Sequence, residues 1–433
     1  MPEAWRNSRS YNAPPRPELT QWWQAFNDPE LNALVSRALH KNLNVAEANE
    51  RLRAARILSK HAQSPHLPTL GIKTHDAVSP DTSTSYFLIG FDAQWELPLF
   101  GAKQSADRLA NGHEALVKAD LQAVLVSLVA EVSSRWVELR AAQQLETTLS
   151  AIQKIQREKL GLLLIREHLN LTSSSDIASA RAELARSEMA LTAPRQIINR
   201  TAEQLAVLVA QSEPEATWLQ RGPQPKLGDW QLSSLPADLL RTRPEINSAE
   251  AQVLIAAGEL GMSRADIYPH ISLGASLQWS LNIASNRKRT RTGDSILSAG
   301  PGISIPLFDW GQRVANAHAK DHQMQAAVLA YRQAVLQGVA EAEIALGNLE
   351  LLRLHERSSL QALAESQKRL DALKRRASLG LLSELDMDNA RIEKLHIQQQ
   401  VANANAERSI AYIALYKALG GATLPTAPLK DAY

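Results

Sequence analysis

"LTSSSDIASARAELA" (residues 171–185) returns in altered form as "LLSELDMDNARIEKL" (residues 381–395). A gapless overlay pairs Leu171 with Leu381, Ser173 with Ser383, Asp176 with Asp386, Ala180 with Ala390, Arg181 with Arg391 and Glu183 with Glu393, at a constant offset of 386 − 176 = 210. That spacing is close to half of the 433-residue chain, so two copies of one unit are expected, not two or three unrelated domains.

The repeat extends outward from this phrase. "LVAEVSSRWVEL" from Leu128 lies over "GVAEAEIALGNL" from Gly338 at the same offset. "WELPLFG" from Trp95 answers "ISIPLFD" from Ile303, and "EANERLRAARILSKHAQSPHLPTLGI" from Glu47 answers "SAEAQVLIAAGELGMSRADIYPHISLGA" from Ser248. Each half reads helix, strand, strand, long helix, long helix. The expected organisation is an extended segment at 1–21, a first repeat at 22–212, a Pro- and Gly-rich linker at 213–235, a second repeat at 236–421 and a tail at 422–433.

The strands alternate with a period of two. Ile271, Leu273, Ala275, Leu277, Trp279 and Leu281 share one face, opposite His270, Ser272, Gly274, Ser276, Gln278 and Ser280. Phe87, Ile89, Phe91, Ala93, Trp95 and Leu97 repeat the pattern, as do Leu297, Ala299, Ile303, Ile305 and Leu307; the strand over 67–75 is the least regular. Trp95 and Trp279 fit either simple packing or an aromatic belt at a membrane boundary.

Long helices follow the strands. No proline interrupts 103–167, and Leu121, Leu125, Leu128, Val132, Trp136 and Leu139 form a heptad-like seam. At 1.5 Å per residue such a helix reaches ~100 Å. Helix resumes from Asp176 to about Ala210 with a kink expected at Pro194, and the second half repeats the pattern over 313–379 and 386–419. Each half therefore carries a long antiparallel hairpin with the repeated phrase at its turn.

Ser173 with Asp176 and Ser383 with Asp386 have capping-box spacing, which accounts for these residues as helix starts. The second copy carries more charge than capping needs. Glu384 and Asp388 repel at four residues apart, and Arg391 compensates three residues beyond Asp388. This is either a solvated acidic end or a cation-facing ring.

The net charge is only +2, with acids and bases interspersed, which argues against nucleic acid as a partner. Cysteine is absent, so disulfides, thiolate metal sites and Cys nucleophiles are excluded. The eleven histidines form no zinc-binding pattern, and no nucleophile elbow, phosphate loop or dinucleotide fingerprint occurs; neither an enzyme nor a cofactor is expected. "NRKRTRTGD" from Asn286 reads as a solvated hairpin tip, with anionic lipopolysaccharide as an alternative contact. No apolar run reaches the ~18 residues of a spanning helix. The first residues lack the pattern of an export signal, so either the protein stays inside or a signal has been removed.

Four amphipathic strands cannot close a spanning barrel, which starts at about eight. Additional copies of the chain would hide both the apolar faces and the free edges. "WWQAFNDPELNALVSRALHKNLNVAEANERLRAAR" (22–56), "LPADLLRTRPEINSAEAQVLIAAGELGMSRADIYPHISL" (235–273), "GPGISIPLFDWGQRVANA" (300–317) and "LYKALGG" (415–421) resemble the outer membrane factor family, the TolC-like exit ducts of efflux pumps and type I secretion, and in particular its nodulation-type lipoprotein branch.

The resemblance implies an α+β membrane protein and a homotrimer. Each internally duplicated chain would give four strands to a twelve-stranded outer-membrane β-barrel and two coiled-coil hairpins to a periplasmic α-barrel. Its partners would be a periplasmic adaptor (membrane fusion protein), an inner membrane transporter of the RND type and outer membrane lipids. The lipid-bearing cysteine usual in this branch has no counterpart here, so the anchor was removed, replaced by Met1 or never present.

By position, Leu171, Thr172 and Ser173 with Gly380, Leu381, Leu382 and Ser383 match the adaptor-docking tips. Asp386, Asp388 and Arg391, with Asp176 and Arg181 in the first half, match the periplasmic gate. "MDNAR" preserves the carboxylate–arginine spacing of the family's "LDAQR"-type stretch, although Asn389 stands where the aspartate is usual. The rival readings are a type I secretion duct, a soluble coiled-coil scaffold or adaptor, and an enzyme of unrecognised type.

Overall fold

The computed structural model describes residues 19–77, 86–228, 242–282 and 294–421. The basic stretch at 286–293, the segment 1–18, part of the Pro- and Gly-rich stretch and the tail 422–433 lie outside the described residues.

The elements run α1 (Pro29–Lys41), α2 (Leu43–Lys60), β1 (Thr69–Ala77), β2 (Tyr86–Glu96), α3 (Ala102–His168), α4 (Ser174–Ala190), α5 (Thr192–Leu208), α6 (Ala216–Leu219), α7 (Pro244–Ala265), β3 (His270–Asn282), β4 (Asp294–Ser304), α8 (Gln312–Ser378) and α9 (Glu384–Ala418). The two longest helices, α3 and α8, each have 67 residues and start 312 − 102 = 210 positions apart. Among the described residues no helix is long and apolar enough to cross a membrane.

The chain divides into two compact units. One holds residues 50–119 and 245–334, including the sheet. Its four antiparallel strands run in the order β1-β2-β3-β4, and their register brings Ile72, Phe91, Leu277 and Leu297 into one row across all four. Beside that row lie Ile89 with Trp279 and Trp95 with Leu273, so the alternation read from sequence builds a single apolar face. The face is open: Leu70, Ile72, Phe91, Leu273, Leu297 and Ile303 are all exposed. On the opposite face Gly71, Asp92, Ser276 and Ser298 share a row, and Lys73 pairs with Asp92. In the same unit α3 and α7 approach closely: a Cβ on Gly258 would stand 2.7 Å from the Leu109 backbone nitrogen, and one on Gly112 2.9 Å from that of Ile255.

The other unit holds residues 1–49, 120–244 and 335–433. Its core uses the predicted seam: Leu121, Leu125, Leu128, Val132, Trp136 and Leu139 are buried. The first described residues are tied to the last, with Trp22 stacked on Tyr416 and its indole N–H donating to the Gly421 carbonyl at 2.9 Å. The Tyr412 hydroxyl donates to the Trp22 carbonyl at 3.0 Å. Buried arginines hold the irregular stretch after α5. Arg140 donates to the Gln220 carbonyl at 2.8 Å, and Arg408 to those of Leu227 (3.3 Å) and Gly228 (2.9 Å). Within that stretch Trp218 on α6 is buried.

The expected kink at Pro194 takes the form of a break at Leu191, between α4 and α5. Proline clashes with the carbonyl four residues earlier, and residue 190 is the last of α4.

Candidate functional site: the hairpin tips

Both long helices end in the same way. The Asn170 amide donates to the Glu167 carbonyl (2.8 Å) and the Leu171 amide to that of Arg166 (2.8 Å). Gly380 and Leu381 repeat this toward Ala377 (2.9 Å) and Arg376 (3.1 Å). This pair of bonds is a Schellman cap, which needs a left-handed residue just past the helix. Asn170 (φ 55°) and Gly380 (φ 73°) supply it.

A cap on the returning helix follows three residues later. Ser173 Oγ accepts from the Asp176 amide (3.2 Å) while the Asp176 carboxylate accepts from the Ser173 amide (3.0 Å), a complete capping box. Ser383 repeats the first bond, accepting from the Asp386 amide at 3.3 Å, and its hydroxyl donates to the Asp386 carboxylate at 2.6 Å. The Ser173 hydroxyl, the Ser173 amide and Thr172 hold the Asp176 carboxyl below its ordinary pKa.

Each tip has its own small core. Leu163, Ile177 and Ala180 pack in the first hairpin, and Leu370, Met387 and Ala390 in the second. Leu385 of the second hairpin joins the first cluster, so the two tips are in contact. A polar bond reinforces this contact: Lys159 Nζ on α3 donates to Asn389 Oδ1 on α9 at 3.0 Å.

The five predicted gate residues divide into three groups. Asp176 and Asp386 are exposed and turned onto their capping serines. Asp388 and Arg391 are joined, with Arg391 Nη1 2.8 Å from Asp388 Oδ1 and 2.9 Å from Glu384 Oε1. Arg181 is exposed and makes no ion pair among the described residues. Its neighbours at the corresponding positions are Ser174 and Ala178, where the second copy has Glu384 and Asp388.

Asp388 is only 2 % exposed within the single chain. Burial pushes its carboxyl above the ordinary aspartate pKa; Arg391 opposes this, and the charges of Glu384 and Glu158 add to it. The predicted docking residues Leu171, Ser173, Gly380, Leu381 and Ser383 are exposed, while Thr172 and Leu382 are half-buried. Lys159 and Asn389 were not foreseen as a pair, because 389 − 159 = 230 residues separate them. Among the described residues no cluster of side chains is suited to a metal ion.

Comparison with known proteins gives this geometry its context. The family model for outer membrane efflux proteins matches twice, at residues 34–211 and 235–421. The pyoverdine export outer membrane protein OpmQ of Pseudomonas aeruginosa is 25 % identical over 93 % of this chain and 88 % of its own. The toluene efflux pump outer membrane protein TtgI of Pseudomonas putida is 27 % identical over 92 % of this chain and 86 % of its own.

Among solved structures, the outer-membrane channel OprN superposes with a TM-score of 0.84 at 26 % identity, covering 97 % of this chain and 96 % of that one. The fold is shared with the open state of the Neisseria gonorrhoeae MtrE channel, at a TM-score of 0.83 and 23 % identity over 97 % and 95 % of the two chains. These relatives are channels and export proteins, not enzymes. Two family matches that together span most of the chain, on a fold shared with solved channels, place this protein in the outer membrane efflux protein family.

Proposed function

We propose that this protein is the exit duct of a tripartite efflux pump, a homotrimer that passes small molecules across the outer membrane and is gated at its periplasmic helix tips. The observation that carries this reading is the open sheet. Along its apolar row Ile72–Phe91–Leu277–Leu297, Ile72, Phe91 and Leu297 are exposed among the described residues, and β1 and β4 are the sheet's two edges. Three copies would supply twelve strands, enough to close a barrel with lipid against the apolar face and no free edge.

A second apolar strip supports the same stoichiometry. Leu336, Ile344, Leu351 and Leu354 are exposed along one side of α8, and a neighbouring copy would cover them.

At the tips, Leu171, Thr172, Ser173, Gly380, Leu381, Leu382 and Ser383 would meet a periplasmic adaptor that connects the duct to an inner membrane transporter, of the RND type by family resemblance. The closed packing is held by the Asp388–Arg391–Glu384 pairs and by Lys159–Asn389, and adaptor docking biases it toward an opened one. Asp176 and Asp386, held by capping bonds at the exposed ends, would place acidic groups around the entrance and favour cations there. Arg181, free of the pairing that occupies Arg391, is available to a neighbouring copy. The names of the relatives, pyoverdine export and toluene efflux, support a small-molecule cargo over a secreted polypeptide.

Planar-bilayer conductance of the purified chain tests this. A cation-preferring pore of low conductance is expected, whose preference falls in the Asp386→Asn plus Asp388→Asn double variant. A monomer without conductance would overturn the duct reading. Unchanged selectivity would overturn the gate assignment alone.

A further inference from the structure

We infer that His318 and His322 on α8 form a chelating pair for a divalent transition-metal ion. The eleven histidines show no three- or four-ligand zinc pattern, yet "AHAKDH" (residues 317–322) sets two of them four positions apart. Both fall inside the unbroken helix Gln312–Ser378. Four residues of α-helix separate two side chains by about 6 Å along the axis and only about 40° around it, so both imidazoles leave α8 on one side. This is the spacing by which a helix offers two histidines to one zinc ion.

Both imidazoles are available. The two side chains are exposed, and neither makes a hydrogen bond or ion pair among the described residues. Other histidines are committed: His61 Nδ1 lies 2.8 Å from the Ile57 carbonyl oxygen, and His270 Nδ1 lies 3.0 Å from Glu96 Oε1. The charged groups beside the pair are already matched. Both oxygens of Asp321 are taken, by Arg264 at 3.0 Å and by Gln325 at 2.9 Å, and Lys320 is held by Glu259 at 2.7 Å.

Helix formation does not ask for histidine here, because Lys, Arg and Gln are better helix formers. The counterparts 210 positions earlier are Arg108 and Gly112. The pair therefore belongs to the second copy alone and is no relic of the duplication.

The donor set selects the ion. No group of three or more ligating side chains able to hold a metal occurs among the described residues. Two nitrogens are offered, and water completes the shell. Neutral imidazole suits zinc, nickel(II) and copper(II), with copper(II) bound most tightly, whereas magnesium and calcium take oxygen ligands. An ion that keeps so much of its water is exchangeable. The pair uses α8 alone, so it stands or falls separately from the duct reading.

The full-length chain, assembled in detergent and free of any histidine tag, would be titrated calorimetrically with zinc chloride. A copper(II) chloride complex would be recorded by electron paramagnetic resonance. One zinc ion per chain is expected, and two nitrogen ligands on copper. His318→Gln and His322→Gln should each weaken zinc binding at least about tenfold, since losing even an outer-shell partner of a ligand costs about that much. Magnesium chloride should give no binding heat. A shifted variant, His322→Gln with Gln323→His, keeps two histidines but places them about 140° apart around the helix. It should bind no better than His322→Gln.

Unchanged zinc binding in both single variants would overturn the pair, as would a parent that binds no zinc. Parent-like affinity in the shifted variant would overturn it too, because lone imidazoles would then suffice. All substituted positions are exposed, so circular dichroism should be the same in every variant.

Discussion

Asn170 and Gly380 lie 380 − 170 = 210 residues apart and both adopt the left-handed conformation, φ 55° and 73°, at the turn of their hairpins. The same offset relates Phe100 to Trp310, Gly101 to Gly311 and Ala210 to Gly420, all with positive φ. Conserving the sign of φ across two diverged copies requires that the turns, rather than the side chains, were kept. An L-residue other than Asn pays ~1–2 kcal/mol in this region, whereas Gly pays none.

Gly380→Ala should therefore weaken the second tip by ~1 kcal/mol, and Asn170→Gly should leave the first nearly unchanged or firmer. Amide exchange across 376–386 reads this directly, with about fivefold faster exchange expected for Gly380→Ala. Equal exchange in Gly380→Ala and the parent would mean that the Schellman cap does not limit opening of the tip.

Acidification should act on the two tips in opposite directions. Asp176 has a folded pKa below its unfolded value. Its contribution to stability is present above the ordinary aspartate pKa and is lost only as pH falls through that lowered value. Asp388 has a folded pKa above its unfolded value, so its buried charge costs stability at neutral pH, and that cost is relieved as pH falls through the raised value. Asp388 thus takes up its proton first, leaving Arg391 with Glu384 alone. Protection of the amides at 384–391, taken relative to their intrinsic exchange rate at each pH, should rise as pH falls through the raised Asp388 value, and Asp388→Asn should remove that step while sparing the one at 171–177. Identical profiles in parent and variant would exclude Asp388 as the titrating group.

The parts of this architecture legible in the sequence were those encoded by period. Helix α3 was expected over 103–167 and observed at Ala102–His168, because an unbroken seam leaves no alternative. The Asp388–Arg391 pair was readable because three residues along a helix bring two side chains together. Contacts with no local signature were not readable. Lys159 meets Asn389 only because two hairpins pack side by side, and its counterpart Arg369 instead pairs with Glu393 inside its own hairpin at 2.7 Å. The ring pairs beyond the strands, Phe100 on Tyr268 and Phe308 on Trp310, had no local signature either. Trp95 and Trp279 stood out on strand faces, yet Trp95 donates to the His66 carbonyl at 2.9 Å and Trp279 packs edge-on against Phe91. Phe308 and Trp310 lie beyond the last residue of β4, where alternation no longer applies.

Lys159→Met should loosen the contact between the two tips. The Lys159–Asn389 bond is exposed, so screening limits it to under about 1 kcal/mol, or about a fivefold change in the ratio of closed to open packing. Single-channel recording should show open events about fivefold more frequent in Lys159→Met and in Asn389→Ala. The double variant should match either single one, because both remove the same bond. Additive effects would mean that each residue acts through a different neighbour.

Arg140 should matter most to the irregular stretch after α5, far along the sequence from both tips. Its side chain is 4 % exposed and is satisfied on every side: Nη1 donates to Gln143 Oε1 and to the Gln220 carbonyl, both at 2.8 Å, Nη2 pairs with Glu30, and the guanidinium lies 4.3 Å over the Trp136 ring. Arg140→Met would leave Gln143 and the Gln220 carbonyl without their donor. Breaking a buried pair costs ~3–5 kcal/mol, and the lower end applies because Glu30 keeps much of its access to water. Arg140→Lys retains the charge but neither the planar fork nor the stacking, so it should recover only part of the loss. Limited proteolysis within 220–228 checks this: cleavage should be fast in Arg140→Met, intermediate in Arg140→Lys and slow in the parent, with bilayer ion selectivity the same in all three. Equal cleavage rates would show that the Arg408 bonds to Leu227 and Gly228 hold the segment without help from Arg140.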